Sequence, residues 1–155
     1  MVTLVGTQTS FADSVKELIK LDFAAVEAYE AAIDRLRAED YKRQLKGFKS
    51  DHERHIKELS DLLSRYGEDV PQDLSSGKQW LTKGKIILAN LIGDNTILKA
   101  MLSNEIDTNT AYERMNDRTD KWQEAQEILK RGLEDEKRHK KWLEDTLGSD
   151  GDFDE

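Results

Sequence analysis

Apolar residues recur along this chain in steps of four and three. From Phe11 one run passes through Val15, Leu18, Asp22, Ala25, Tyr29, Ala32 and Leu36. A second takes Tyr41, Leu45, Phe48, His52, His55, Leu59, Leu62 and Tyr66. A third comprises Leu98, Met101, Glu105, Thr108, Tyr112, Met115 and Thr119, and a fourth Ala125, Leu129, Gly132, Glu136, His139, Leu143 and Thr146. That spacing puts every member of a run on one stripe of an α-helix, the seam that a bundle buries. Charged neighbours such as Lys16, Lys20, Asp34 and Arg37 fall off the stripe.

Local signals bound the runs. Thr9-Ser10 can cap a helix beginning near Phe11, a break falls at Ala38-Glu39-Asp40, and Gly67 reads as a C′ residue with Pro71 beyond it. Residues 67–93 are the least regular stretch, with Pro71, Ser75-Ser76-Gly77 and an apolar patch of Trp80, Leu81, Ile86, Ile87, Leu88 and Leu91. Their length suits a connection running the height of a bundle and carrying a short helix. The expected fold is all-α: a four-helix bundle over residues 11–147, built from two antiparallel hairpins joined by that crossover. Residues 1–10 form an N-terminal tail and 148–155 an acidic, flexible one.

Six seam positions hold the wrong kind of residue: Asp22, His52, His55, Glu105, Glu136 and His139. Burying a polar group without a partner costs about 2–7 kcal/mol, so each needs a reason. The two halves also match. Asp22 to Tyr29 corresponds to Glu105 to Tyr112, with Ala-Tyr-Glu shared at 28–30 and 111–113, and His55 and Leu59 correspond to His139 and Leu143. Asp51-His52-Glu53-Arg54-His55 and Asp135-Glu136-Lys137-Arg138-His139 are the matching centres. A repeat of this kind implies a pseudo-two-fold arrangement of hairpins. With turns centred near Glu39 and Lys121, Asp22 falls level with His55 and Glu105 level with His139, to within a few ångströms at ~1.5 Å per residue. Pairs spaced i, i+3, His52/His55 and Glu136/His139, share one helix face. Three carboxylates and three imidazoles then converge, a donor set that suits iron, manganese or zinc better than magnesium or calcium.

Composition narrows the function. Lys+Arg number 24 against 32 Asp+Glu, a net charge of −8, which argues against nucleic acid or an anionic membrane as partner. With no cysteine the chain has no disulfide, no thiolate site and no rubredoxin-like module. No run approaches the ~20 apolar residues that cross a bilayer, and no secretory signal opens the sequence, so a cytoplasmic setting is the expectation.

At the six polar positions the chain resembles the ferritin-like superfamily, the rubrerythrin and bacterioferritin type of di-iron bundle, and also bacterial ferritin-like domains of unknown function. That family supplies one Glu from each of two helices and Glu-x-x-His from each of the other two. Glu105 and Glu136-x-x-His139 match; Asp22 replaces the other lone Glu, and His52 stands where a bridging Glu would precede His55. Tyrosines seven residues after each lone carboxylate, Tyr29 and Tyr112, match a family feature and would hydrogen-bond the ligands. The resemblance covers residues 11–147 and implies a ferritin-like bundle with two metal ions, iron foremost with manganese or zinc as alternatives, acting on Fe(II), O2 or peroxide as an oxidoreductase or ferroxidase. It assigns Asp22 and Glu105 as terminal ligands, Glu136 as a bridge and His55 and His139 as end caps. His52 for Glu removes one negative charge and one bridge, which favours a divalent pair, or one tightly held ion, over two retained ferric ions.

Other readings compete. The histidines and carboxylates can form a buried ionic cluster that fixes helix register in a non-catalytic, structural or stress-related bundle. Iron storage ranks lower, because no fifth helix follows Leu147. A homodimer is open. Glu27, Glu30 and Glu113 lie off the seam, Glu53, Arg54, Lys137 and Arg138 read as exposed salt-bridging residues, and Trp80, Trp122 and Trp142 as packing residues.

Overall fold

Ser10 starts the first helix, its hydroxyl accepting the Asp13 amide at 3.0 Å. A computed structural model of the chain describes residues 3–72, 88 and 90–149. It places α1 at Phe11–Arg35, α2 at Glu39–Arg65, α3 at Asp94–Asp117 and α4 at Ala125–Ser149. Among the described residues there is no strand. The arrangement is an all-α four-helix bundle. No helix among the described residues is long and apolar enough to cross a membrane.

The ends of the helices follow from local chemistry. Gly67, at φ 72°, closes α2: its amide donates to Ser64 O at 3.1 Å and the Glu68 amide to Leu63 O at 3.0 Å, the pair of hydrogen bonds that a left-handed C′ residue permits. Asp94 opens α3 and accepts the Arg37 and Ala38 amides at 2.9 and 3.0 Å, tying the α1–α2 turn to the second hairpin. The Arg118 guanidinium donates to Gly6 O, Gln8 O and Ser14 Oγ at 2.8–2.9 Å and pairs with Asp120. Residues 3–9 are thereby held against the end of α3, with Arg114 donating to Thr3 O and Val5 O.

Every seam member of the first run is buried, and so are all but the terminal members of the other three. Tyr66 and Thr119 are exposed, just past a helix end, and Tyr41 and Thr146, in the first and last turns of their helices, are half-buried. The expected short helix of the crossover, with Trp80, Leu81, Ile86 and Ile87, lies outside the described residues, although Leu88 and Asn90 are helical and Leu88 is buried. Helix α4 continues to Ser149, beyond the expected start of the tail at Gly148; residues 150–155 are not among those described.

Helices pack as α1 on α2 and α3 on α4 within the hairpins, and as α1 on α3 and α2 on α4 between them. Residue numbers run in opposite senses across both inter-hairpin seams. Asp22 meets Tyr112 while Tyr29 meets Glu105, and His55 meets Asp135 while His139 meets Asp51. A pseudo-two-fold axis therefore crosses the bundle at mid-height. The apolar core falls into two blocks. One gathers Phe11, Leu18, Leu62, Tyr112, Met115 and Leu129, the other Tyr29, Phe48, Leu98, Met101 and Leu143. The polar residues lie between the blocks.

Candidate metal centre

The turns set which residues face each other. The α1–α2 turn is centred on Arg37, not Glu39, so Asp22 and His52 lie equally far from it, and His55 one turn further. Asp22 Oδ1 is accordingly 2.7 Å from His52 Nδ1, and the expected approach of Asp22 to His55 is also made, at 3.4 Å from His55 Nδ1. The α3–α4 loop is centred on Lys121, as expected, and there the equivalent level is shared by Glu105 and Glu136.

All six residues come together, each no more than 2% exposed. Their ligand-competent atoms form two four-residue groups whose members lie within 4.8 Å of one another: Asp22, His52, His55 and Glu136 in one, His52, Glu105, Glu136 and His139 in the other. Glu136 spans them. Its Oε1 is 3.6 Å from His55 Nδ1, and its Oε2 is 3.5 Å from His139 Nδ1. Thr108 Oγ1 lies 3.0 Å from both Glu105 Oε2 and Glu136 Oε2. Glu136 Oε1, by contrast, is buried with no hydrogen-bond partner among the described residues. A buried carboxylate oxygen without a donor is costly, and a cation would satisfy it.

A second layer of side chains fixes the first, and its contacts cross between hairpins. The Tyr29 hydroxyl on α1 donates to Glu105 on α3, and the Tyr112 hydroxyl on α3 donates to Asp22 on α1 at 2.7 Å. His55 Nε2 on α2 is 2.9 Å from Asp135 Oδ2 on α4, and His139 Nε2 on α4 is 2.8 Å from Asp51 Oδ2 on α2. Arg54 pairs with Asp135 and Arg138 with Asp51. Each aspartate thus holds its imidazole with Nδ1 turned inward, as the outer partners of metal-bound histidines commonly do.

Asp51 and Asp135 were not singled out by the seam pattern, because they lie one position off it. The signal that identifies them is the repeat itself: Asp-x-x-Arg-His occurs at 51–55 and 135–139. Arg54 and Arg138 are not simply exposed salt-bridging residues; they act on the aspartates that hold the histidines. Glu30 pairs with Lys49 on the surface, and Glu27, Glu30 and Glu113 belong to neither four-residue group. Trp122 packs edge-on to Phe11 and is stacked on Tyr66 at 3.9 Å, and Trp142 packs against Phe48 and Tyr41. Trp80 lies outside the described residues.

Electrostatics follow the geometry. Burial works against ionising Asp22, but hydrogen bonds from His52 and His55 outweigh it and lower its pKa. Burial likewise opposes ionised Glu105, which His139 and His52 hold well below the ordinary carboxyl range. Burial disfavours the charged imidazoles too, yet the surrounding carboxylates prevail. They push His55 up to about 9 and His139 up to about 10, and raise His52 well above its usual value. Glu136 goes the other way, pushed up to about 7 by burial and by the neighbouring Glu105 charge. Without metal the layer is an approximately charge-balanced ionic cluster, held by protons that a metal ion would displace.

Fold and polar layer together define an all-α bundle with a carboxylate–imidazole core. The family described as domain of unknown function DUF2383 matches residues 10–118, well over half of the chain, and the protein belongs to that family. The match takes in α1 to α3 with Asp22, His52, His55 and Glu105, while Glu136 and His139 lie beyond it. No curated protein and no solved structure matches the chain.

Proposed function

We propose that this is a ferritin-like protein whose bundle core holds a dinuclear non-haem metal centre, iron foremost with manganese or zinc as alternatives, that reacts with Fe(II), O2 or peroxide. The observation that carries the reading is the pair of four-residue groups sharing Glu136, one oxygen of which has no hydrogen-bond partner among the described residues. Bound metal would supply an open coordination position at which O2 or peroxide is activated.

The chain's own residues have distinct parts in this reading. Asp22 and Glu105 are terminal ligands, steadied by the Tyr112 and Tyr29 hydroxyls. Glu136 gives one oxygen to each group. His55 and His139 cap the two ends through Nδ1, and Asp135 and Asp51 accept hydrogen bonds from their Nε2–H groups and set the ring tautomers. Burial of the layer between two apolar blocks excludes bulk water. Metal analysis of the purified chain tests the proposal. Two ions per chain are expected, with His55→Ala and His139→Ala each losing metal. Metal content and melting temperature unchanged in both variants would remove the site.

One observation favours a second reading, a structural bundle without metal: the cluster is largely satisfied by its own contacts, as in the 2.7 Å approach of His52 Nδ1 to Asp22. Buried ion clusters of this kind fix register at some cost in stability. Under that reading no divalent ion is retained, and added metal leaves the melting temperature unchanged.

A further inference from the structure

Three histidines face the core, but only two turn a nitrogen away from it. His55 and His139 aim Nδ1 at the ligand atoms and present Nε2 to Asp135 and Asp51. His52, 0% exposed, has both nitrogens beside ligand carboxylates. Its Nδ1 is 2.7 Å from Asp22 Oδ1 and 3.4 Å from Glu136 Oε1, and its Nε2 is 3.4 Å from Glu105 Oε1. Nδ1 therefore faces carboxylates of the first four-residue group, and Nε2 faces Glu105 of the second. His52 does with two nitrogens what Glu136, its counterpart in the repeat, does with two oxygens.

We infer that His52 bridges the two metal ions as an imidazolate, through Nδ1 to the ion held by Asp22 and His55 and through Nε2 to the ion held by Glu105 and His139. The inference rests on the dinuclear reading above and specifies the ligation of that site. A neutral imidazole bound through one nitrogen would aim its remaining N–H at the place of the other ion. It would also leave the buried layer short of charge. Two divalent ions bring four positive charges, and Asp22, Glu105 and Glu136 supply three negative ones. As the second metal–nitrogen bond forms, the last ring N–H bond breaks, its proton leaves to solvent, and no electron is transferred. The fourth negative charge appears where a buried, low-dielectric layer needs it. The bridge and the charge removed by the Glu-to-His replacement are both restored.

The test uses the full chain labelled with 15N-histidine and titrated with Zn(II), which is diamagnetic. The chain has three histidines, so the count needs no assignment. With two equivalents of Zn(II), the bridge gives four metal-bound ring nitrogens and two ring N–H groups, those of His55 and His139. Three bound nitrogens and three N–H groups at two Zn(II) per chain would overturn the bridge and leave the dinuclear site standing. A single Zn(II) per chain overturns the bridge while metal binding survives, and no Zn(II) at all overturns both. His52→Gln offers no anionic bridge, so its second Zn(II) should bind at least ~10-fold more weakly than the wild type's; equal second-site affinity would also overturn the inference. The nitrogen count on the unmodified chain decides the matter if that variant does not fold.

Discussion

At the scale of single residues, the polar layer depends on side chains that never reach its centre. Asp51 and Asp135 hold His139 and His55 at 2.8 and 2.9 Å, so Asp51→Ala or Asp135→Ala should free a ring to turn. Competitive Zn(II) titration is expected to show affinity reduced by about 10–100-fold in each variant, with helical content unchanged. Gly132 is a different kind of support. A Cβ there would overlap the Tyr112 ring, whose hydroxyl donates to Asp22. Gly132→Ala should displace that ring and lower the melting temperature, with a cost of about 1–3 kcal/mol as for other overpacked core sites. An unchanged melting temperature and an unchanged Tyr112 environment by NMR would show that the ring has room after all. The repeat is broken at this point, because the position equivalent to Gly132 in the first half is Phe48, which stacks on His139 at 4.2 Å.

At the scale of elements, the four seams were legible residue by residue. The steps of four and three picked out Asp22, His52, His55, Glu105, Glu136 and His139 as buried, because a stripe of that period has one possible inward face. Less legible was what depends on turn geometry. Helix ends have weaker signals than helix faces, and the first turn is centred on Arg37 rather than Glu39, which makes His52 the nearer partner of Asp22 while His55 stays in reach. Contacts between hairpins, such as those of Asp51 and Asp135, follow from three-dimensional crossing and have no periodicity to reveal them. The clasp by Arg118 is another case: a residue in a loop organises residues 3–9 and Ser14. Arg118→Ala should speed amide exchange across that N-terminal segment and cost about 1–3 kcal/mol, while leaving metal affinity unchanged. Exchange rates equal to wild type would place the restraint elsewhere.

At the scale of the whole molecule, the protonation of the layer makes stability depend on pH with opposite signs in the two states. Without metal, His55 and His139 titrate at about 9 and about 10, above the 6.5 of an ordinary imidazole. Their contribution is fully present below pH 6.5 and is lost as pH rises toward 10, because the folded chain then gives up protons the unfolded chain has already released. Glu136, raised from 4.5 to about 7, acts in the same sense at lower pH. With metal held as proposed the imidazoles would be proton-free at Nδ1 in the folded state, so stability would instead grow as pH rises through 6.5. In EDTA the melting temperature should fall by at least about 5 °C between pH 6.5 and 9.5. With excess Mn(II) or Zn(II) it should hold level or rise over the same interval. Parallel falls under both conditions would favour the metal-free bundle.

The grouping of the ligands also bears on how the molecule holds together. Each four-residue group takes three members from one hairpin and one from the other, and the exchanged members, His52 and Glu136, occupy equivalent places in the repeat. Neither hairpin possesses a finished group. The ions would therefore act as reciprocal cross-links between the halves, and the free energy of loading them would be inseparable from that of docking one half on the other. Chelation would then be a mechanical event as well as a chemical one: stripping the metal would loosen the seam along which the molecule is joined.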